Sequence, residues 1–296
     1  MEFTSFLNLI IHGVQQKFGA EYQIEVQNVA KNNGVQRTGI VARKENMNSF
    51  PTVYLNEYYR EDLDGDDCEK IAQMVYERIK EAELSEPVDM SVFSDFQKAK
   101  KQIGFKLVNT EKNEALLKEI PHREFFNLSM VYFYLMPEEH FEGRATVSIK
   151  NHHMKTWKIK EEELYQVAYE NTPVLFPSKI DSMQNFMKDL PAKNMMQNDV
   201  PMFILSNEQR LFGASCMLYP GELESFARLL DSNLYILPSS VHEIIIVPER
   251  PGMNTKLFLK VVVAVNYSQV EEEEILADSV FFYNKKEESL YLLDNF

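Results

Sequence analysis

The spacing of apolar residues predicts an amphipathic helix at the start of the chain. In FTSFLNLIIHGVQQKF the apolar residues recur every three or four positions, at Phe3, Phe6, Leu7, Ile10, Val14 and Phe18. The next segment, YQIEVQNVA, alternates apolar and polar residues as a half-buried strand does. Asn33-Gly34 tolerates positive φ at both positions of a tight turn, so VQRTGIVAR is expected to return as the second strand of a hairpin.

A third strand at PTVYLN and a helix over about 66–83 complete the N-terminal pattern. The acidic run that precedes this helix raises the alternative of a calcium loop. An EF-hand loop starting at Asp62 needs glycine at its sixth position and glutamate at its twelfth, but those positions hold Asp67 and Gln73. The run is therefore interpreted as a turn in which Asp66 or Asp67 caps the helix.

The middle of the chain combines one strongly apolar segment with a short helix. REFFNLSMVYFYLM is too continuously apolar for a surface element and predicts a buried strand, with GRATVSI as its partner. EEELYQVAYENTP predicts a helix that stops before Pro173. The stretch 178–199 contains Met183, Met187, Met195 and Met196. Methionines that fill gaps in a core are commoner than a methionine-rich surface for a partner, and both interpretations stay open.

The C-terminal third carries the clearest pattern. Strands are predicted at PMFILSN, LFGASCMLY, LYIL and HEIIIV, and PGELESFARLLD predicts a helix opened by Pro220. NTKLFLKVVVAVNYSQV is rich in valine but keeps helical spacing, at Leu257, Phe258, Val261, Val262 and Val265. It is predicted to be a helix. DSVFFYN and SLYLL are predicted to form a closing hairpin.

Strands and helices thus mix without regular βαβ alternation, which predicts the α+β class, with mixed or antiparallel sheets and packed helices. A chain of 296 residues accommodates two packed lobes. We expect an N-terminal lobe over 1–120, built from a helix, a β-hairpin and a helix, and a C-terminal α+β lobe over 121–296.

Composition indicates a soluble globular protein, with 45% apolar and 26% charged residues. No apolar run reaches the length of a membrane span, and the N-terminus lacks the features of a signal peptide, so no membrane association is expected. Two cysteines, Cys68 and Cys216, do not make a disulfide framework. A reduced cytoplasmic protein is the simplest interpretation.

A formal net charge of −14 argues against nucleic acid as a partner, because neutralising phosphates supplies most of such affinity. Two local basic runs stand out, QKAKKQIGFK at 97–106 and KNHHMKTWKIK at 150–160. Solvated helix faces commonly produce such runs. Nucleic-acid binding would require both runs on one exposed face.

Several common chemistries lack their motifs in this sequence. There is no GxxxxGK[ST] phosphate loop, no GxGxxG after a strand, and no GxSxG nucleophile elbow. His152 and His153 are adjacent, so their side chains project to different sides, and no His, Cys or carboxylate cluster has zinc-like spacing. No cofactor and no metal are predicted.

ILPSSVHEIIIVPE, residues 236–249, carries the remaining candidate residues. A zincin helix would need H-E-x-x-H, and Ile246 occupies the second histidine position. On a strand, His242 would share a face with Ser240, while Glu243 would face the other side. A Ser240–His242 hydrogen bond at the start of the strand is then either structural or poised at a cleft, and the structural interpretation is favoured.

Cys216 offers a different chemistry, because a Cys216–His242 dyad would resemble that of a Cys–His hydrolase. Nothing close to Cys216 in the sequence would lower the pKa of its thiol, and a buried cysteine usually behaves as a small hydrophobic residue.

Several segments resemble an uncharacterised family, a domain of unknown function from gut-dwelling anaerobic bacteria. They are NLYILPSSVHEIIIVPE, LSNEQRLFGASCMLYPGEL, VAYENTP, VVAVNYSQVEEEEILADSVFFYN, VAKNNG, PTVYLNEYY and IPHREFFNLSMVY. The resemblance covers nearly the whole chain and implies a bacterial, cytoplasmic protein of unknown function. Its LPSSVHE match nominates Ser239, Ser240, His242 and Glu243 as positions of interest, without a role for any of them.

The lack of a complete catalytic constellation favours a non-enzymatic protein that binds a protein partner or a small ligand in an accessory or regulatory role. The alternative is a hydrolase-like enzyme whose site gathers Cys216, Ser240, His242 and Glu243.

Overall fold

A computed structural model of the chain describes residues 1–84, 86–137, 144–183, 201–253 and 255–293. Within these ranges, antiparallel sheets pack against helices, which confirms the α+β class. The helices are α1 (Phe3–Phe18), α2 (Gly65–Glu81), α3 (Phe96–Ala99), α4 (Glu114–Leu117), α5 (Asn151–Trp157), α6 (Glu161–Leu175), α7 (Glu222–Leu229) and α8 (Thr255–Gln269). No helix in the described ranges is both long enough and apolar enough to cross a bilayer.

The strands are arranged in three antiparallel sheets. They are β1 (Tyr22–Ala30), β2 (Gln36–Lys44), β3 (Thr52–Tyr54), β4 (Ile103–Asn109), β5 (His122–Phe125), β6 (Leu128–Leu135), β7 (Thr146–Ser148), β8 (Ser178–Ser182), β9 (Phe203–Asn207), β10 (Leu234–Leu237), β11 (Ile244–Pro248), β12 (Val280–Asn284) and β13 (Ser289–Leu293). The first sheet has the order β1-β2-β3 and the largest has the order β13-β12-β10-β11-β9-β8. In the remaining sheet β6 pairs with β4, β5 and β7.

The chain divides into two compact units. The first comprises Met1–Lys31, Val35–Val92 and Met136–Ala145, and the second comprises Asn32–Gly34, Phe93–Leu135 and Thr146–Phe296. The lobes expected from the sequence, 1–120 and 121–296, divide the chain elsewhere. Antiparallel pairing of β4 with β6 joins residues on both sides of position 120, so residues 93–120 belong with the second unit.

In the first unit, α1 and α2 pack against the β1-β2-β3 sheet. The predicted apolar face of α1 is confirmed, because Phe6, Ile10 and Val14 are buried in one core with residues of α2 and β2. The helix cap differs from the prediction. Asp64, rather than Asp66 or Asp67, caps α2, and its carboxylate accepts a hydrogen bond from the Asp67 N–H at 2.9 Å. Gly65 is already helical, so the cap falls one residue before it.

The apolar segment REFFNLSMVYFYLM forms two strands rather than the single strand expected. β5 and β6 pair across a turn at Phe126-Asn127, where Phe126 has a φ of 55°. This turn contains neither glycine nor proline, which is why the apolar pattern concealed it. Every residue of β6 is buried, as predicted, and β7 pairs with it as expected.

Helix α6 continues through Pro173 instead of stopping before it. The Phe176 N–H still donates to the Thr172 carbonyl at 2.9 Å, so the missing proline N–H affects only the final turn. The Thr172 hydroxyl accepts from the Phe105 N–H at 3.0 Å and donates to the Ala168 carbonyl at 2.6 Å. The Phe105 N–H on the open edge of β4 therefore has a hydrogen-bond acceptor in α6. This contact holds the last turn of α6 against the strand, which explains why the helix continues past Pro173.

LFGASCMLY is a 3₁₀ helix over Gly213–Leu218, and the strand predicted there is wrong. Short apolar runs do not distinguish a strand from a buried helical turn by periodicity. The helix predicted from NTKLFLKVVVAVNYSQV is confirmed as α8, with Val262 and Phe258 packed in a core with Tyr235. The side chains of Leu257, Val261 and Val265 lie outside the described part, as do Met187, Met195 and Met196.

Candidate functional site

His242 lies where the end of β9, the 3₁₀ helix Gly213–Leu218 and the segment before β11 approach one another. Strand β11 begins at Ile244, so His242 and Glu243 precede it and the alternation of faces does not apply to them. Ser240 forms an isolated antiparallel bridge with Ile275. The segment 239–243 therefore lies before the strand, which begins two residues later than the predicted HEIIIV, and the Ser240 bridge pairs it with the acidic segment 271–276.

The backbone and the ring of His242 are held by separate contacts. Its N–H donates to the Ser240 hydroxyl at 3.1 Å, and its carbonyl accepts from the Ser206 hydroxyl at 2.7 Å. Its Nδ1 accepts from the Phe212 N–H at 3.3 Å, and the two rings stack with centroids 5.9 Å apart. Because Nδ1 is an acceptor, the neutral ring carries its proton on Nε2. The expected Ser240–His242 hydrogen bond therefore forms with the backbone of His242.

The free side of the His242 ring faces a carboxylate. Nε2 lies 3.6 Å from a carboxylate oxygen of Glu274, and the two side chains are 28% and 44% exposed. Backbone pairing fixes this approach, because the Val241 N–H donates to the Glu274 carbonyl at 2.8 Å and the Leu276 N–H donates to the Ser239 carbonyl at 3.0 Å. The pair is thus positioned by the main chain and remains accessible to another molecule.

Asparagine side chains hold the acidic segment from its other side. The side-chain amide of Asn33 donates to the carbonyls of Glu272 and Ile275, at 2.8 and 2.7 Å. Buried Asn113 accepts from the Asn33 N–H at 2.9 Å and donates to the Asn33 side-chain oxygen at 3.0 Å. Asn33 has a φ of 59°, which asparagine tolerates better than most residues. The Asn33-Gly34 dipeptide, singled out as a turn, thus also supports the site.

Gly213 allows the chain to pass directly beside His242. A Cβ at this position would lie 2.2 Å from the Ser206 hydroxyl oxygen and 2.4 Å from the His242 carbonyl oxygen. These distances are far inside van der Waals contact, so any larger residue would displace the groups that hold His242. No local sequence pattern indicates this constraint, because it depends on three segments distant along the chain.

Cys216 is close to this region but faces the protein interior. Its thiol is fully buried and donates to the Ser206 carbonyl at 3.2 Å. Burial raises the pKa of the Cys216 thiol to about 12. Cys216 and His242 both contact Ser206, and no hydrogen bond joins them in the described residues. A thiol protonated at neutral pH is a weak nucleophile, so the geometry supports a packing role for Cys216.

The titration of Cys216 predicts a specific loss of stability in alkali. An unfolded thiol has a pKa of about 8.5. Because the thiol has a higher pKa in the folded state, its protonated form stabilises the folded protein. This stabilisation is fully present below about pH 8.5 and is lost as the pH rises towards about 12. Between about pH 8.5 and pH 10 the wild type should lose about 1.5 kcal/mol more unfolding free energy than Cys216→Ala. Urea unfolding followed by Trp157 fluorescence measures this difference. Cys68→Ala in the first unit is the control and should change the pH slope less, because burial raises the pKa of the Cys68 thiol by a smaller amount. Equal pH slopes in the wild type and Cys216→Ala would contradict the prediction.

The remaining candidate residues differ in how deeply they are buried. Ser239 is buried, and Glu243 is half-buried. His152 is exposed, whereas the His153 ring stacks between Phe93 and Trp157, where burial lowers its pKa to about 4. Within the described ranges, no group of three or more His, Cys, Asp or Glu side chains is arranged to hold a metal ion.

Sequence reasoning missed Phe212, Gly213 and Glu274. Glu274 belongs to the acidic run VEEEEI, in which Glu272–Glu274 form a 3₁₀ turn. Glu274 differs from the other glutamates of this run only because its backbone pairs with the segment before β11.

Comparison with known proteins identifies a family. A family model described as a family of unknown function, DUF5688, matches residues 3–285. No curated protein and no solved structure gives a significant match. The match confirms that the resemblance to a family of unknown function extends over nearly the whole chain.

Proposed function

Since the chain belongs to DUF5688, a family of unknown function, we propose its function from the site: the protein is a non-enzymatic binding protein that recognises a protein partner through the surface around His242 and Glu274. The observation that carries this proposal is the part-exposed His242–Glu274 pair, which is fixed by backbone hydrogen bonds on both sides. A preorganised pair binds without the entropy cost of ordering its own side chains.

The charge of this surface favours a basic partner segment. Glu271 and Glu272 are exposed beside Glu274, and Glu243 is half-buried on the adjoining segment. An arginine of a partner could bind a carboxylate in bidentate fashion while the His242 Nε2–H donates to a neighbouring carbonyl. A small cationic ligand would use the same groups. A cytoplasmic accessory or regulatory role belongs to the proposal and rests on two free, buried cysteines.

The hydrolase alternative would need Cys216 or Ser240 to be activated by His242. The Cys216 thiol is buried, and burial raises its pKa. The Ser240 hydroxyl accepts from the backbone N–H of His242, and the Nδ1 of the ring accepts from Phe212. These contacts support binding more than proton transfer, because neither candidate nucleophile hydrogen-bonds to the imidazole within the described residues.

Site-directed photocross-linking in cells that produce the protein tests this proposal. Benzoylphenylalanine at position 243 should give a discrete protein adduct, and the same probe at exposed position 170 on α6 should not. Glu274→Gln should reduce the adduct about fivefold, as expected when one charged contact of an interface is removed. Equal adducts at both positions would reject the surface. Hydrolysis of an ester or peptide substrate that is lost in His242→Ala would instead support the enzyme alternative.

A further inference from the structure

The two basic runs of the sequence meet in the second unit. Helix α3 packs on α5 through Phe96 and Trp157, whose ring centroids are 5.6 Å apart. Phe93, just before α3, stacks on His153 of α5 at 5.1 Å. The runs 97–106 and 150–160 are about fifty residues apart in sequence, yet these ring contacts make them neighbours.

The two segments that these ring contacts join carry six exposed lysines, which we call the lysine surface: Lys98, Lys101, Lys150, Lys155, Lys158 and Lys160. None of the six has a carboxylate within ion-pair distance in the described part of the chain. Several basic residues elsewhere are paired, as in Lys80–Glu83 at 2.5 Å and Arg228–Glu224 at 2.6 Å. In a chain with 45 acidic and 31 basic residues, unpaired lysines grouped together are unexpected on electrostatic grounds.

Three acidic residues close in sequence to these lysines are already engaged. Glu161 and Glu162 follow Lys160, but both bind the Arg123 guanidinium, at 2.8 and 2.5 Å. Asp95, which precedes the first run, accepts from the Gln97 N–H at 2.9 Å and caps α3. The positive charge of the lysine surface is therefore left for an external anion.

The surroundings of the lysine surface indicate the kind of anion. Charges are screened beyond about 8 Å at physiological salt, so a short ligand experiences the local lysines. A long polyanion would extend beyond these lysines over the rest of the protein. It would be repelled there, because the whole chain has a net charge of −14. Phe96 and Trp157 are buried, so their faces do not offer platforms for stacked bases, as single-stranded nucleic acid requires. A second copy of the chain would have to place its acidic surface on these lysines. Such a head-to-tail contact joins two different surfaces, and it produces open chains of molecules unless the rotation between copies closes a ring.

We propose that the lysine surface binds a short acidic segment of a protein partner, with carboxylates paired to lysines of α3 and α5. This surface is formed by elements other than those around His242 and Glu274, so the proposal does not depend on the function proposed above.

Fluorescence anisotropy of a labelled octaglutamate peptide with the full chain tests the proposal. The wild type should bind at about 50 mM salt and weaken as salt rises. The triple variant Lys98→Gln, Lys101→Gln, Lys155→Gln should bind about tenfold more weakly, as expected for three exposed ion pairs. The matched control is Lys70→Gln, Lys260→Gln, Lys286→Gln, which changes the net charge equally and should leave affinity within about twofold. Circular dichroism checks that both variants fold.

Four results would overturn the proposal. The first is no peptide binding by the wild type at low salt, and the second is an equal loss in the two triple variants, which would indicate a net-charge effect. The third is tighter binding of an oligothymidylate of the same length, which would identify a nucleic-acid surface. The fourth is self-association in sedimentation experiments that the first triple variant abolishes, which would make a second copy the occupant.

Discussion

Gly213→Ala is expected to lower the unfolding free energy of the second unit by about 3 kcal/mol, at the upper end of the usual cost of overpacking. The added methyl group would lie 2.2 Å from the Ser206 hydroxyl oxygen, 2.4 Å from the His242 carbonyl oxygen and 2.8 Å from the Asn207 nitrogen. Two of these atoms are backbone atoms in or beside the central strands, so a rotamer change cannot relieve the clash. Urea unfolding followed by Trp157 fluorescence measures the loss. The adduct at position 243 should fall as well, because His242 is displaced.

Gly65→Ala is the matched control for this substitution. Gly65 begins α2, its φ is not positive, and nothing lies within 4 Å of the position that its Cβ would take. Alanine should be neutral there or stabilising by up to about 1 kcal/mol, because glycine disfavours helix. If Gly213→Ala stays within about 1 kcal/mol of the wild type, the close packing of Gly213 against Ser206 and His242 is wrong.

Periodic elements of this fold follow from the sequence, whereas elements fixed by contacts between distant segments do not. The apolar spacing of α1 and the alternation in β1 predicted both elements correctly. One face of α1 is buried in a core, and Tyr22 and Ile24 of β1 pack against that core, whereas Val26 is exposed. Helix α6 passes Pro173 because Thr172 links it to the edge of β4, a contact that no local propensity encodes. The turn at Phe126 and the 3₁₀ helix around Cys216 lie in apolar runs with no helical or strand period.

The candidate site could likewise be predicted from the sequence only in part. The sequence nominated Ser240 and His242 and correctly related them, but the hydrogen bond uses the His242 backbone rather than its ring. The ring is instead oriented by the Phe212 N–H, which lies thirty residues earlier in the chain. Local composition cannot reveal that contact, since it depends on how β9 and β11 pair. Glu274 reaches the ring for the same reason, through a bridge between Ser240 and Ile275.

Asn113 connects the support of the acidic segment to the core of the second unit. Its side chain is 1% exposed. It accepts from the Asn33 N–H and donates both to the Asn33 side-chain oxygen and to the Asn109 carbonyl, the last at 2.8 Å. Asn33 in turn donates to the carbonyls of Glu272 and Ile275. The amide of Asn113 therefore fixes the residue that holds the backbone on both sides of Glu274.

Asn113→Ala is consequently expected to lower the unfolding free energy by about 3 kcal/mol, because it leaves buried polar groups without their partners. Asn151→Ala removes a single side-chain hydrogen bond, to the Lys118 carbonyl at 3.0 Å, from an exposed residue of α5. That control should cost less than about 1 kcal/mol. Both are measured by urea unfolding followed by Trp157 fluorescence.

A double-mutant cycle with Asn33→Gly separates the hydrogen-bond network from the backbone conformation. Glycine tolerates the positive φ of Asn33 and removes its side chain, so the single variant loses the contacts without adding strain. If Asn33 and Asn113 act as one unit, the double variant should be more stable than the sum of the two single losses predicts, by about 1 kcal/mol or more. Additive losses would show that the two asparagines support the acidic segment independently. In that case Glu274 would be positioned chiefly by its backbone pairing with Val241.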